Sequence, residues 1–336
     1  MPITRRATLL AALAALPGQA PRPAVRIGQA TPAVSFLPVM AARALDTFGA
    51  SGLALEWAAI PGGDPAALAA LDSGDIDLAA VGSETLLNAI VRGQPFQLVA
   101  SLMSKVSLEL VVSSKLLERT GLSPADDPLP KRLAALKGAV VGVSAIGGTQ
   151  DRAARWLARQ AGLDPRTGVQ VAMAGPPPAI QAALEAGRID AFVLSPPEGL
   201  LAEDARTGHV LIRMGDEFPA LKGVPSLVLA VKTPVAKRAL VVAALKALQA
   251  ASAQVLADPA ASAAAIQKAL FPRLKPEVLA AAIIGLKNGI EDRGRLSPAG
   301  MAALVAYAGE AAAGLDAAHG EGRFWTNAYW DEAARS

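Results

Sequence analysis

Two kinds of apolar pattern follow one another along this chain. Short, nearly continuous apolar runs at 25–30, 53–60 and 140–143 have the length of buried strands. Between them, longer stretches such as 35–47 and 150–160 have the length and composition of helices. Because strand-like and helix-like segments alternate, the pattern predicts parallel α/β units.

One segment of the chain is repeated. Residues 70–83 return at 183–196 with the same Gly-x-Ile-Asp element, at an offset of 183 − 70 = 113. Residues 25–28 match 139–142 at nearly the same offset. This period is far longer than the ~20–50 residues of a solenoid repeat, so each copy is a lobe rather than a single motif. We therefore expect two similar lobes with a cleft between them.

Two further apolar runs, 108–112 and 226–231, bracket the second copy. If both cross between the lobes, they form a two-strand hinge. The predicted organisation is a signal peptide at 1–20, lobe 1 at 24–107, lobe 2 at 108–225, and a return strand with C-terminal helices that pack on lobe 1 at 226–336.

The N-terminus has the pattern of an export signal. Arg5 and Arg6 precede the apolar run 7–16, which is too short to span a hydrocarbon core of ~30 Å and fits a signal-peptide core. Residues 4–10 resemble a twin-arginine signal, although Thr8 stands where an aromatic residue is usual. We expect a periplasmic protein exported by the twin-arginine or the general secretory route. The alternative is an uncleaved basic tail.

Composition removes several classes of function. The net charge of +3 comes from 32 basic and 29 acidic residues without a Lys/Arg block, which argues against nucleic-acid binding. The chain has no cysteine, which excludes disulfides, thiolate catalysis and a lipidated N-terminal Cys. With 2 histidines, at His209 and His319, the sequence offers no His/Cys metal constellation, and we expect no cofactor.

Several motifs together resemble a known family. They are the duplicated Gly-x-Ile-Asp element, the segment 136–143, the Ser-Pro-Pro-Glu loop at 195–198 and the segment 227–231. In this order they are similar to substrate-binding proteins of ABC importers, specifically the nitrate/sulfonate/taurine group, over roughly residues 24–310.

The resemblance implies a two-lobed type II periplasmic-binding-protein fold, with each lobe a mostly parallel sheet flanked by helices. It also implies a monomer that captures a small molecule and hands it to a membrane permease and its ATPase. Fold analogy alone does not name the ligand.

Small residues lie where the predicted strands end and helices begin. Such positions leave backbone N–H groups free to bind a sulfonate, carboxylate or other anion, and they allow a ligand to come close. The alternative for each residue is an ordinary helix cap. The candidates are Ser35, Gly82, Ser83, Ser144, Gly147, Gly148, Thr149 and Ser195.

Two larger side chains join this set. Phe36 is the aromatic candidate to pack against an apolar part of the ligand. Arg152 lies in the first turn of the predicted second-lobe helix, where its guanidinium can bind a carboxylate through two hydrogen bonds. The alternative role for Arg152 is a surface ion pair with Asp151 or Glu185.

Acidic residues permit a different ligand. Glu84 and Glu198 lie in loops predicted to face the cleft and would suit a cationic or amine-bearing ligand, although Glu84 also suits a helix N-terminus. Asp77 and Asp190 lie at strand starts, opposite the expected cleft, and we expect turn or cap roles for them. An enzyme of the same fold, or a protein that presents its ligand to a sensor, remains an alternative to transport.

Overall fold

The computed structural model describes residues 22–335, so the predicted signal peptide at 1–20 lies outside the described residues. The strands are β1 (Ala24–Gln29), β2 (Ala54–Ala59), β3 (Leu78–Gly82), β4 (Phe96–Lys105), β5 (Glu109–Ser113), β6 (Val140–Val143), β7 (Gln170–Met173), β8 (Ala191–Leu194), β9 (Gly208–Arg213) and β10 (Lys222–Lys232). They form two sheets of five strands, one in each predicted lobe.

Helices surround both sheets. They are α1 (Leu37–Ala44), α2 (Thr47–Ala50), α3 (Gly63–Ser73), α4 (Ser83–Val91), α5 (Ser114–Thr120), α6 (Leu129–Leu133), α7 (Thr149–Gln160), α8 (Pro177–Glu185), α9 (Glu198–Asp204), α10 (Met214–Glu217), α11 (Arg238–Ala257), α12 (Pro259–Leu270), α13 (Pro276–Leu286), α14 (Pro298–Ala308) and α15 (Ala328–Arg335). Short 3₁₀ turns lie at Ala134–Leu136, Pro219–Leu221, Lys287–Ile290 and Gly309–Ala312.

The two sheets have the same topology. In lobe 1 the order is β2-β1-β3-β10-β4, and in lobe 2 it is β7-β6-β8-β5-β9. β1 pairs in parallel with β2 and β3, and β6 pairs in parallel with β7 and β8. The fourth strand of each sheet, β10 or β5, is antiparallel to both of its neighbours. The two-lobed α/β fold predicted from the repeat is confirmed.

The chain passes between the two sheets beside the predicted hinge runs rather than within them. Residues 108–112 and 226–231 mostly belong to β5 and β10, which are paired on both sides inside their sheets. The chain crosses between sheets at 106–108, after β4, and at 214–221, after β9. Both predicted runs are strands, but each is paired on both sides and so belongs to one sheet, while the residues before it connect the two sheets.

The repeated Ile of the Gly-x-Ile-Asp element packs against a repeated glycine. A Cβ added to Gly28 in β1 would lie 2.6 Å from Cδ1 of Ile76, and one added to Gly142 in β6 would lie 2.5 Å from Cδ1 of Ile189. Each glycine therefore admits an isoleucine from the loop before the neighbouring strand. The repeat therefore specifies the same contact between a glycine and an isoleucine in both lobes.

The repeated aspartate ties two strands together. Asp77 accepts a hydrogen bond from the Arg26 backbone N–H at 3.0 Å, and Asp190 accepts the equivalent bond from Val140 at 3.0 Å. Burial opposes ionisation, but hydrogen bonds from Arg26 and Lys237 prevail and lower the pKa of Asp77 to about 2. Both aspartates therefore link neighbouring strands instead of taking the turn or cap roles predicted for them.

The apolar core is continuous between the lobes on one side only. A single cluster of buried residues joins Leu68, Leu86 and Leu304 of lobe 1 to Leu157 of lobe 2. On the opposite faces the cores are separate, one beneath α1, α11 and α13 and the other beneath α8 and α9.

The C-terminal helices lie against strands and helices of the first sheet. The segment before α15 pairs with β4, since Leu98 N–H donates to Phe324 O and Thr326 N–H donates to Leu98 O, each at 2.9 Å. Among the described helices, α11 alone is long and apolar enough to span a membrane. It packs against α1, α2, α12 and α15, and half of its most apolar stretch is buried. Burial of this kind is typical of a core helix.

Candidate functional site

The N-termini of α4 and α7 approach each other from opposite lobes. A Cβ added to Gly82, just before α4, would lie 3.6 Å from Oγ1 of Thr149, the first residue of α7. Nε of Arg152 lies 3.3 Å from Oε1 of Glu84, and Arg152 Nη1 donates to Gly147 O at 2.6 Å. This ion pair joins the lobes across the predicted cleft.

Arg152 therefore has a different partner from either one predicted. Asp151 instead lies with Oδ1 2.6 Å from Nε of Arg155, one helical turn along α7. Glu84 projects from the first turn of α4, where a negative charge complements the helix dipole, and it is 5% exposed. The sequence favoured Asp151 or Glu185 of the same lobe, whereas the fold pairs Arg152 with a residue 68 positions away in the other lobe.

A carboxylate of the chain accepts hydrogen bonds at the start of α4. Asp64 accepts hydrogen bonds from Gly82 N–H at 3.1 Å and from Thr85 Oγ1 at 3.2 Å. Asp64 lies in the first turn of α3, which begins at Gly63. Asp64 thus accepts from the amide at the start of α4, the helix that follows β3. It lies where a ligand anion was predicted.

An aspartate also accepts a hydrogen bond from the loop just before α7. Gly147 N–H donates to Oδ2 of Asp151 at 2.7 Å, and Gly147 has the positive φ of +75° that favours glycine. Gly148 is the extended residue before α7, and a Cβ there would lie 3.2 Å from Ala145 O. The prediction of free amides is therefore wrong for Gly82 and Gly147, because aspartates of the chain accept from both.

The remaining candidates occupy several environments. Ser83 Oγ donates to Ser226 O at 3.1 Å, and the hydroxyls of Ser195 and Ser107 lie 3.2 Å apart beside the first crossing. Ser35 is buried and Ser144 is half-buried after the end of β6.

Phe36 and Glu198 each contact residues of their own lobe. Phe36 is 2% exposed and belongs to the core beneath α1, so it packs against protein neighbours in lobe 1. Gln181 Nε2 donates to both the backbone oxygen and Oε2 of Glu198, at 2.8 and 3.0 Å. Glu198 is half-buried, and burial raises its pKa.

A small cavity lies beside the two crossings. It has a volume of about 60 Å³ and lies between α13 of lobe 1 and Pro196 and Leu200 of lobe 2. Glu109 in its wall is 5% exposed, with Oε1 3.3 Å from Arg213 Nε and with a buried Oε2 that no described residue hydrogen-bonds. Burial raises the pKa of Glu109 to about 7, against the attraction of Arg213.

Lys105 completes this hinge cavity. Its ammonium donates to Asp216 Oδ1 at 2.7 Å and to Gly285 O at 2.9 Å. Sequence reasoning missed Lys105, Glu109 and Asp216. The sequence feature that could have found them is their place directly beside apolar strands, because strand ends lie at the edge of each sheet where the lobes meet.

The interlobe ion pair lies in a negative environment. Burial raises the pKa of both Asp64 and Glu84, while the nearby charge of Arg152 opposes this. The hydroxyl of Tyr307 in α14 is buried and has no hydrogen-bond partner among residues 22–335. Its pKa is raised by burial and by the charge of Glu84. Tyr307 was also missed by sequence reasoning.

Aromatic packing brings Tyr307 to this place. The ring of Trp156 in α7 lies 6.0 Å from that of Tyr307 and 4.7 Å from that of Phe218, which precedes a turn in the second crossing. These edge-to-face contacts join α7, α14 and the crossing at the shared core.

Comparison with known proteins gives a family and a fold. The model of the NMT1-like family matches residues 18–270. A search of curated protein sequences gave no significant match.

Among solved structures, a protein of Bordetella bronchiseptica RB50 is 23% identical with a TM-score of 0.72, over 93% of this chain and 97% of that one. The periplasmic nitrate-binding protein NrtA from Synechocystis PCC 6803 is 16% identical with a TM-score of 0.70, over 93% and 88%. The periplasmic aliphatic sulphonate binding protein SsuA from Escherichia coli is 22% identical with a TM-score of 0.61, over 79% and 84%. At these identities the likeness shows the periplasmic-binding-protein fold.

Proposed function

The chain belongs to the NMT1-like family, and on that premise we propose that it is the solute-binding component of an ABC importer. In this proposal the protein is exported to the periplasm and acts as a monomer. It captures one small molecule with an acid group, such as a sulfonate, a carboxylate or an oxyanion, between its lobes. It then delivers this molecule to a permease and its ATPase.

The observation that carries the proposal is a half-buried guanidinium placed where two helix N-termini meet across the lobes. Arg152 extends from α7 to Glu84 on α4, so a ligand bound to Arg152 contacts both lobes. A guanidinium pairs with planar acid groups through two parallel N–H donors, which gives orientation as well as affinity.

Neutral donors surround this position. Thr149 Oγ1 lies 3.5 Å from Arg152 Nη2, and the Ser83 hydroxyl lies one residue before Glu84. Hydroxyls turn to suit a ligand oxygen and add no charge. They support Ser83 and Thr149 as ligand contacts from the predicted set, while Gly82 and Gly147 shape the loops.

Delivery to a permease requires that the protein signal its loaded state. The two crossings at 106–108 and 214–221 are the connections about which the lobes move, and they flank the hinge cavity. Hinge closure around a ligand is a common way for a two-lobed protein to present one shape when empty and another when loaded. The names of the nitrate- and sulphonate-binding neighbours support this mode of action.

Thermal unfolding of the purified full chain tests the proposal. The panel holds sulfonates, carboxylates and nitrate, each with and without an amino substituent where chemistry allows. A ligand at 100 times its dissociation constant adds about 2.7 kcal/mol to the free energy of unfolding. Small-angle scattering with the same compound should show a more compact particle.

Two variants locate the binding. Arg152→Gln should abolish the stabilisation, whereas Arg166→Gln, at an exposed arginine of lobe 2, should keep it. If no compound in the panel stabilises the protein, or if Arg152→Gln binds as the wild type does, the proposal is wrong.

A further inference from the structure

Both lobes contribute walls to the hinge cavity. Ala282 and Leu286 of α13 line it from lobe 1, and Pro196 and Leu200 line it from lobe 2. The first crossing, at 106–108, runs along the same cavity. Because the walls come from both lobes, the cavity changes in width whenever the lobes move relative to each other. Lobe movement therefore controls how much water reaches the groups in these walls.

An exposed ion pair joins α9 and α13 near this cavity. Nζ of Lys275, just before α13, lies 2.7 Å from Oδ2 of Asp204, the last residue of α9. Both side chains are exposed, and exposed ion pairs stabilise a fold little because water screens them. The ion pair therefore opposes only weakly the separation of the two helices, one of which belongs to each lobe.

The carboxyl group of Glu109 lies in the cavity wall and lacks a donor on one oxygen. Glu109 is the first residue of β5, directly after the first crossing, and it is 5% exposed. Oε1 lies 3.3 Å from Nε of Arg213, whereas the buried Oε2 accepts no hydrogen bond from any residue of 22–335. Oε2 lies instead against α9, since a Cβ added to Gly199 would be 2.7 Å from it.

The other charges around Glu109 do not supply the missing donor. Lys105 of β4 donates to Asp216 of α10, so its charge is already paired. Asp216 and Glu203 of α9 both repel an ionised Glu109, and α13 lines the cavity with alanine, glycine and leucine. Burial therefore raises the pKa of Glu109 to about 7, against the attraction of Arg213 and Lys105.

The two protonation states of Glu109 prefer different widths of the cavity. A closed cavity of about 60 Å³ has room for a few water molecules, which replace only part of the hydration that an ionised carboxylate has in bulk water. When the walls separate, bulk water reaches the side chain, and the ionised form gains most of this hydration. The neutral carboxyl group gains much less, because its burial costs less.

We propose that a proton on Glu109 stabilises the arrangement of the lobes seen here, and that loss of this proton to solvent favours a second arrangement in which α9 and α13 move apart and water enters the hinge cavity. No other group has to change its protonation state. The inference takes from the proposed function only the movement of the lobes about the two crossings. It adds control of that movement by pH, with no ligand bound.

The size and the sign of the effect follow from proton linkage. Each unit by which the pKa of Glu109 falls in the second arrangement changes the ratio of the two arrangements about tenfold. If the carboxyl regains its usual value, the fall is 7 − 4.5 = 2.5 units, or about 300-fold in this ratio. The second arrangement should therefore gain population as the pH rises from about 4.5 to about 7.

Pulsed electron paramagnetic resonance on the ligand-free full chain measures the arrangement of the lobes. The chain has no cysteine, so Ala205→Cys and Lys268→Cys introduce the two spin-label sites of a double variant. Ala205 follows α9, Lys268 lies in α12, which packs on α13, and both positions are exposed. Between pH 4.5 and 7.5 the population with the longer label-to-label distance should grow. The same distance distribution at every pH would overturn the proposal.

Variants of the labelled protein assign the response to Glu109. Glu109→Gln carries no proton to lose, so it should keep the shorter distance throughout the pH series. Glu109→Met, which has a similar length and no titratable group, repeats this test if Glu109→Gln does not fold. The control, Glu118→Gln at an exposed position of α5, should follow the parent protein. A pH response that persists in Glu109→Gln or Glu109→Met would show that another group is responsible and that the proposal is wrong.

The measurement separates this inference from the proposed function, because it uses no ligand. A ligand-free protein whose lobes do not respond to pH refutes the role of Glu109 and leaves solute binding as it stands. Failure of every acid in the thermal panel refutes the proposed ligand class and leaves the pH response of the lobes as it stands.

Discussion

Replacing Glu109 with glutamine should remove a pH dependence of stability that arises in the hinge cavity. Glu109 is 5% exposed, its Oε2 accepts no hydrogen bond from any described residue, and its nearest cation, Arg213, is half-exposed. Burial removes hydration from the charged form of Glu109, and the attraction of Arg213 and Lys105 does not compensate for this loss. The negative charges of Glu203 and Asp216 add repulsion. Burial raises the pKa of this carboxyl from 4.5 to about 7.

The sign follows from counting protons. Between pH 4.5 and 7 the folded chain keeps a proton on Glu109 that the unfolded chain has released, so the free energy of unfolding falls as the pH rises. The contribution is fully present below pH 4.5 and is lost as the pH passes about 7. A difference of 7 − 4.5 = 2.5 units, at about 1.36 kcal/mol per unit, amounts to about 3 kcal/mol.

Chemical denaturation of wild type and Glu109→Gln at pH 4.5, 5.5, 6.5 and 7.5 measures this contribution. Glutamine is nearly the same size and carries no charge at any of these pH values. The stability difference, wild type minus variant, should therefore fall by about 3 kcal/mol across the series. Exposed Glu118→Gln serves as the control and should follow the wild type throughout. Parallel curves for wild type and Glu109→Gln would refute the assignment of the titration to this side chain.

Three further predictions concern other parts of the chain. Gly142→Ala places a methyl 2.5 Å from Ile189 Cδ1, so it should lower the free energy of unfolding by about 1–3 kcal/mol, and adding Ile189→Val should recover part of the loss in denaturant titrations. Ser113→Ala removes the side-chain cap of α5 and should cost about 1 kcal/mol by the same measurement, while an unchanged midpoint would exclude the cap as a source of stability. Lysine at both Arg5 and Arg6 should block export only if the twin-arginine route is used, and fractionation that finds only full-length cytoplasmic protein, for the wild type as well, would contradict export.

The fold was predictable from sequence because its main determinants are local and duplicated. The repeated Ile76 and Ile189 each fill the space above a glycine of the neighbouring strand, and the repeated aspartates each hold the start of that strand. Such patterns recur in the sequence because the same contact is made twice. They predict two similar α/β lobes with a cleft between them.

The chemistry of the site was less predictable because it depends on which side chains meet across the cleft. Asp64 lies 18 positions before the amide that it binds, and Arg152 lies 68 positions after Glu84. Periodicity shows that these residues lie near the cleft, but it does not show which carboxylate reaches which donor. The free amides expected at Gly82 and Gly147 were assigned by position alone, and neighbouring aspartates occupy both.

The exchange of strands between the two halves of the chain has a consequence for synthesis. β10 lies between β3 and β4, yet it follows β4 by more than a hundred residues, after the whole of lobe 2 has been made. Until residue 222 is available, β3 and β4 each present an unpaired edge, the kind of surface that promotes aggregation. Lobe 1 is therefore not an independent folding unit, and a truncated chain that ends after β9 should be insoluble even though it contains most of both sheets. Contacts this distant in sequence also slow folding, which lengthens the time during which these strand edges are exposed.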